Sequence, residues 1–179
     1  DKKYEVDSTF FPNVATAEQI IEDSNTINYK GMFALMARPD RFSISNLEAK
    51  SGKVELIRFA FYLHNLDDLI ICVNKARNLG YRVHVNPINV TSYNESQLVS
   101  LIETLNSLDI ECISIVDTFG ALDLTGFKSY LAIFDDHMKS NIKLGLHLHE
   151  NLSSSFGFVQ FALCMKSERE FIIDGSLHG

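Results

Sequence analysis

The sequence predicts an α/β fold, a partial (β/α)8 TIM barrel, and three observations point to it. Short apolar stretches alternate with amphipathic helical stretches at a repeat of about 30 residues, which is typical of βα units in a parallel sheet. The strand stretches are rich in apolar residues, as strands covered by helices must be. Polar residues recur at the C-terminal ends of successive strands, and a closed barrel gathers these ends around one pocket. An open doubly wound sheet, the alternative, concentrates its site at one crevice.

Turn residues and helix caps set the expected boundaries of each element. The predicted strands are Tyr29–Ala37, Val54–Phe61, Tyr81–Ile88, Glu111–Asp117, Lys143–His149 and Phe171–Ser176. The predicted helices are residues 16–24 with Thr16 as N-cap, Asn65–Asn78, Asn94–Ser107 with Ser92 or Asn94 as cap, Leu124–Lys139 and Ser153–Ser167. Residues 40–52 are expected to form a small polar helix or a loop.

Composition favours one globular domain spanning residues 1–179. The chain has 179 residues, 46% of them apolar, which is enough for one sizeable core. Its net charge is −7 and its Lys and Arg residues are scattered, which argues against a nucleic-acid partner. The apolar runs are too short to cross a membrane. Cys72, Cys112 and Cys164 lack zinc-site spacing and are expected to be free thiols in a reducing cytoplasm. The first residue is Asp1 rather than Met, which suggests that the chain begins inside a longer protein.

Two histidines near the end of one strand indicate a metal site. His147 and His149 are two residues apart, so in a strand both imidazoles point to the same face while Leu146 and Leu148 point to the other. Two neutral imidazoles on one face can bind one divalent metal ion. Otherwise each buried ring needs a separate hydrogen-bond partner.

Other strand ends also carry polar groups, each with a structural alternative. An arginine in a strand is often only part of an ion pair, and an acid before a helix is often only its N-cap. Because the ends of parallel barrel strands surround one pocket, we expect these groups to act together. They are Arg58, His84 and Asn86, Asp117 and Thr118, and Asp174 and Ser176.

Three motifs resemble the last strands of the DRE-TIM metallolyases, the HMG-CoA-lyase-like superfamily, in particular the 4-hydroxy-2-oxovalerate aldolase-like branch. They are Ile115-Val-Asp-Thr-Phe-Gly120, Leu144-Gly-Leu-His-Leu-His-Glu-Asn-Leu152 and Ile172-Ile-Asp-Gly-Ser-Leu-His-Gly179. Their order and spacing both fit. The resemblance covers residues 54–179, and residues 1–53 match only by position.

The resemblance implies a divalent-metal-dependent aldolase that cleaves a 4-hydroxy-2-oxo acid to pyruvate and an aldehyde. His147 and His149 would bind Mn²⁺ or Mg²⁺, and Asp117 and Thr118 would line the substrate pocket. Apart from the resemblance, Arg58 could face a substrate carboxylate, and both His84 and the missing N-terminal segment are candidates for the catalytic base. Asn86 and Ser176 are further expected substrate contacts, and the partner is a small 2-oxo acid. Whether the protein forms a homo-oligomer is left open.

One departure from the family concerns the first strand. The Asp-Arg-Glu-type motif that supplies the third metal ligand in the family is absent from this sequence. The six strands are therefore expected to be strands 3 to 8 of the barrel. This fragment is expected to be inactive alone. Two other functions remain open, a Claisen-type synthase joining an acyl-CoA to a 2-oxo acid and a non-catalytic degenerate barrel. A non-haem iron site is disfavoured, because such sites usually occur in antiparallel barrels.

The sequence also makes a geometric prediction about this site. His147 and His149 should face the same cavity as Asp117, with Leu146 and Leu148 against the helices. Asp117 or Asn86 should accept a hydrogen bond from the second ring nitrogen of a metal-binding histidine.

Overall fold

A single parallel sheet organises the part of the chain that the computed structural model describes, residues 11–24, 30–165 and 168–176. Six strands in these residues lie side by side in chain order. They are β1 (Phe33–Ala37), β2 (Val54–Phe61), β3 (Arg82–Pro87), β4 (Cys112–Asp117), β5 (Lys143–Leu148) and β6 (Phe171–Ile173). A doubly wound sheet would reverse its strand order at a switch point, and this order does not reverse. The predicted partial barrel is therefore confirmed.

Helices connect the strands and lie along the sheet. They are α1 (Val14–Asp23), α2 (Leu66–Asn78), α3 (Glu95–Leu105), α4 (Leu124–His137) and α5 (Ser155–Cys164), with 3-10 turns at Ile44–Asn46, Leu63–Asn65 and Val90–Ser92. Right-handed crossovers between strands that follow chain order place successive helices on the same side of the sheet. The other side is left to form the interior of the barrel.

Helix starts follow the capping rules, with one correction. The sequence predicts Thr16 as the cap of the first helix, but Asn13 occupies that position and its Oδ1 accepts the Thr16 N–H at 2.9 Å. Asn94 caps α3 in a complete capping box with Gln97, which confirms one of the two predicted caps.

Most element ends shift by a few residues from their predicted positions. The predicted first strand begins at Tyr29, which lies outside the described residues, and the strand observed there is Phe33–Ala37. The last strand ends at Ile173 rather than Ser176. The last helix spans Ser155–Cys164, while its predicted end at Ser167 lies outside the described residues. Strand ends are set by where a neighbouring ladder stops, and local sequence does not encode this.

The two faces of the sheet differ in chemistry. Alternate residues on β2 to β5 pack against the helices and are almost fully buried: Ile57, Phe59, Val83, Val85, Ile113, Ile115, Leu144 and Leu146. The intervening residues point to the opposite face, which we call the concave face. That face carries the polar side chains of Arg58, His84, Asn86, Ser114 and His147, together with the smaller or apolar ones of Ala60, Cys112 and Val116.

A side-chain contact shows that the sheet curls. Arg58 on β2 forms an ion pair with Asp174, which directly follows β6. In a flat sheet these strands would lie about 19 Å apart at about 4.8 Å per strand, too far for the two side chains to meet. The strands therefore curve around the concave face as a barrel wall does.

Candidate functional site

The strand register gathers polar side chains from several strands on the concave face. Arg58 pairs with His84, His84 pairs with Cys112, and Val116 pairs with His147. Residues paired in parallel strands point to the same side, and so do residues two apart in one strand. Asn86 and Ser114 therefore share this face with Arg58 and His147.

Asp174 joins two of the predicted site residues. Its Oδ2 accepts a hydrogen bond from Nη2 of Arg58 and lies 2.5 Å from Nδ1 of His147. The three side chains are 20–28% exposed. Burial alone would raise the pKa of the Asp174 carboxyl, but the hydrogen bonds from His147 and Arg58 bring it below its ordinary value. The carboxylate is therefore ionised at neutral pH, and Nδ1 of His147 must donate to it.

Asn86 and Ser114 extend this group of hydrogen bonds. In the amide orientation that satisfies its neighbours, the Asn86 oxygen accepts from Nη2 of Arg58 at 3.1 Å and its nitrogen donates to Oγ of Ser114 at 3.0 Å. Both side chains are almost fully buried. A connected chain of contacts thus runs from Ser114 through Asn86, Arg58 and Asp174 to His147, and it joins four strands, β2 to β5, to the residue that directly follows β6.

His147 and His149 are adjacent, as predicted. Their ring centroids lie 5.3 Å apart and the rings are tilted by 58°. A neutral histidine whose one nitrogen donates to a carboxylate presents the other nitrogen as a lone pair, the usual arrangement of metal-binding histidines. This donor set fits a divalent cation. In residues 11–24, 30–165 and 168–176, however, no three His, Cys, Asp or Glu side chains are grouped to hold a metal ion, so further ligands would have to come from elsewhere.

His84 is held as a neutral imidazole inside the wall. It is 5% exposed, and burial together with the Arg58 charge lowers its pKa to about 4. Its Nε2 is shielded from solvent and has no hydrogen-bond partner among the described residues. His84 therefore lies beside Arg58, but that nitrogen does not open onto the cavity.

The burial of His84 predicts a pH-dependent stability. Its pKa is about 4 when folded and about 6.5 when unfolded, so only the unfolded chain takes up the proton between these values and stability falls as the pH drops through this window. When the pH is lowered from 7 to 5, the free energy of unfolding of the unsubstituted protein should fall. That of the His84→Leu variant should fall by about 2 kcal/mol less. Urea unfolding at both pH values measures this difference.

The exposed His137 on α4 provides the control for this measurement. His137→Gln removes an imidazole that is exposed in the folded protein. The free energy of unfolding of this variant should therefore change between pH 7 and pH 5 as it does in the unsubstituted protein. An equal loss in the His84→Leu variant and the unsubstituted protein would contradict the burial argument.

Asp117 does not share the histidine cavity, and this geometric prediction was wrong. It pairs with Leu148 in the register, which places it on the helix-facing side of the sheet. Its two carboxylate oxygens accept the N–H groups of Ala121 and Leu122 at 3.1 and 3.0 Å. Asp117 thus closes the loop after β4, while the N-cap of α4 is Asp123.

The neighbours of Asp117 link three loops at the C-terminal ends of the strands. Oγ1 of Thr118 accepts the N–H of Asn89 at 2.7 Å, which joins the loops after β4 and β3. Nδ2 of Asn151 donates to the Phe119 carbonyl at 2.6 Å, which joins the loops after β5 and β4. Ser176 is exposed beyond the end of β6.

Residues 64–179, about two thirds of the chain, match the model of the HMGL-like family. The chain belongs to the HMGL-like family. This matched region contains the His147 and His149 pair, Asp174 and the loops described above. In residues described by the structure, no helix of this HMGL-like chain is long and apolar enough to span a membrane.

Solved structures share the fold of this HMGL-like chain. The N-terminal domain of a "putative aldolase" from Bacteroides vulgatus matches 97% of this chain at 18% identity and a TM-score of 0.73, over 56% of its own length. The carboxyl transferase domain of Rhizobium etli pyruvate carboxylase matches 79% of this chain at 11% identity and a TM-score of 0.60, over 27% of its length. The same domain with pyruvate and biocytin matches 68% of this chain at 13% identity and a TM-score of 0.56, over 22% of its own length. The chain thus spans little more than half of the aldolase domain and about a quarter of the transferase.

The partner of His147 differs from the prediction. The second ring nitrogen was expected to meet Asp117 or Asn86, and it meets Asp174 instead. Asn86 contacts Arg58, one step further along the chain of hydrogen bonds. The sequence did contain one indication, because Asp174 directly follows β6, the strand next to the one that carries His147, at the same end of the sheet.

Proposed function

We propose that the full-length protein containing this HMGL-like chain is a divalent-metal-dependent carbon–carbon lyase. It would cleave a 4-hydroxy-2-oxo acid to pyruvate and an aldehyde. The observation that carries this proposal is the pair of His147 and His149 on the concave face, with His147 oriented by a carboxylate. The family membership and the fold shared with a protein named as an aldolase support a lyase over an unrelated barrel function.

His147 and His149 would hold the cation, Mn²⁺ or Mg²⁺, through one nitrogen each. The cation would supply Lewis acidity that polarises the 2-oxo group of the substrate. A third protein ligand is expected outside the described residues, and it would complete the site.

The other residues of the concave face bind and orient. The Arg58 charge is matched by Asp174, so Arg58 offers hydrogen bonds to a substrate oxygen rather than a full unpaired charge. Asn86 accepts a hydrogen bond from Arg58 and would help to orient its guanidinium toward the substrate. Thr118 and Ser176, at the C-terminal ends of the strands, would line its mouth.

The reaction needs one proton acceptor for the C4 hydroxyl. As that proton leaves, the C3–C4 bond breaks, the aldehyde forms, and C3 takes up a proton to give pyruvate. His84 is neutral and so able to accept a proton, but its shielded Nε2 would first have to be uncovered. The other candidate base lies outside the described residues.

Pyruvate release tests the proposal directly. We expect full-length protein with added Mn²⁺ to release pyruvate from at least one 4-hydroxy-2-oxo acid. The release is measured by coupling to lactate dehydrogenase. Chelation with EDTA should abolish the signal and Mn²⁺ should restore it. Tight Mn²⁺ binding without pyruvate release across a series of aldehyde chain lengths would contradict the aldolase and favour the Claisen-type synthase. No Mn²⁺ binding at all would favour a non-catalytic barrel.

A further inference from the structure

We propose that Asp174 is a positioning residue, which holds His147 in a single tautomer and orientation by accepting hydrogen bonds from His147 and Arg58 on the same oxygen. The proposal about metal affinity rests on the proposed function, whereas the proposal about the tautomer stands on the hydrogen bonds alone. Asp174 itself would not contact substrate.

The backbone of Asp174 is fixed to the strand that carries His147. Its N–H donates to the Leu146 carbonyl at 3.0 Å, which continues the β5–β6 ladder one residue beyond the end of β6. Its carboxylate thereby lies beside the residue that follows Leu146 on β5. The 2.5 Å contact between Oδ2 and Nδ1 of His147 is a direct result of this register.

Arg58 fixes the same carboxylate from the other side. Its Nη2 donates to Oδ2 of Asp174, and the same nitrogen donates to Asn86, which bonds to Ser114. Asn86 and Ser114 are 2% and 1% exposed, so this support lies inside the wall. Two donors on one oxygen, each held by a different part of the sheet, leave the carboxylate little freedom to rotate.

The chemical consequence falls on His147. The Oδ2 atom of Asp174 that accepts from Arg58 also lies 2.5 Å from Nδ1 of His147, so in the neutral ring Nδ1 carries the proton and Nε2 keeps its lone pair. The opposite tautomer would place two lone pairs against each other. A ring oriented before the ligand arrives loses less conformational entropy on metal binding, and removal of such a partner usually costs about 10–100-fold in metal affinity.

The test combines one spectroscopic and one binding measurement on the full-length, metal-free protein. In ¹⁵N-histidine spectra the unsubstituted protein should show His147 as the Nδ1–H tautomer. Asp174→Asn, whose amide can both donate and accept, should give a mixture of tautomers. The Kd for Mn²⁺, from calorimetric titration, should rise by about 10–100-fold in this variant.

Glu170→Gln is the matched control. It also removes a carboxylate next to β6, but one that is exposed and paired with Lys143 at the other end of the strand. It should change neither the His147 tautomer nor the Kd.

Two results would overturn the inference. The first is a His147 in the Nε2–H form, or a free mixture, in the unsubstituted protein, a measurement that needs no variant to fold. The second is a folded Asp174→Asn variant with the tautomer and the Kd both unchanged. If the unsubstituted protein binds no Mn²⁺, the proposed function fails, and the tautomer alone decides the inference.

Discussion

Replacing His147 by alanine is expected to weaken Mn²⁺ binding by at least about 100-fold and to abolish pyruvate release. The proposed metal site has two imidazoles in the described residues, so the variant would keep only that of His149. Loss of a direct ligand should cost more than loss of a residue that only orients one, for which about 10–100-fold is usual. Calorimetric titration of the full-length protein with Mn²⁺ measures the affinity, and the lactate dehydrogenase coupling measures the activity.

His137→Ala is the control for this experiment. It removes an exposed imidazole in the last turn of α4, away from the concave face, and should leave both affinity and activity unchanged. Because the His147→Ala variant also leaves Asp174 without one donor, its fold should be checked by circular dichroism. A folded variant that binds Mn²⁺ as tightly as the unsubstituted protein would remove His147 from the metal site.

Gly120→Ala is expected to destabilise the protein by about 2–4 kcal/mol, since it combines backbone strain with overpacking. Gly120 has φ of +58°, which a residue with a Cβ adopts at a cost. An added Cβ would also lie 2.7 Å from the His149 carbonyl oxygen and 2.7 Å from the Asn151 nitrogen. These are backbone atoms, so the loop that follows His149 must move. Urea unfolding measures the loss, and a weaker affinity for Mn²⁺ should accompany it.

Gly157→Ala is the matched control in the neighbouring helix. Gly157 lies within α5, and nothing is within 4 Å of the position where its Cβ would stand. Alanine is the better helix former there, so stability should rise by up to about 1 kcal/mol. Equal effects of the two substitutions would show that the loop after β4 tolerates a side chain and that Gly120 is not needed for the loop contact.

The order of strands and helices could be predicted because it depends on local patterns. Val54–Phe61 was predicted with both of its ends, since alternating burial and flanking turn residues define it. The same-face placement of His147 and His149 also follows from strand geometry alone. The chain-order topology then follows from short connections and right-handed crossovers.

The contacts within the site could not be predicted in the same way. The bond between Arg58 and Asp174 joins residues 116 positions apart, and it forms only because the sheet curls. Curvature arises from all the strands together, and no local pattern encodes it. The choice of Asp174 over Asn86 as the partner of His147 depends instead on the register of β5 and β6, in which the Asp174 N–H donates to the Leu146 carbonyl.

The position of Asp117 was predictable and was missed. Ile113, Ile115 and Asp117 alternate along β4, so the acid shares a face with two core residues. The family resemblance suggested a pocket residue, while strand alternation places it against the helices. The structural alternative, an acid that is the N-cap of the next helix, was also wrong: Asp123 caps α4, and Asp117 accepts hydrogen bonds from the loop before this helix.

The central claim is that His147 and His149 bind one divalent cation together. Electron spin echo spectroscopy of bound Mn²⁺, with ¹⁴N- and ¹⁵N-histidine protein, counts the imidazole nitrogens coupled to the metal. The account predicts two coupled imidazoles in the unsubstituted protein and one in the His149→Ala variant. Bound Mn²⁺ without imidazole coupling, or with a coupling that is unchanged in His149→Ala, would contradict it.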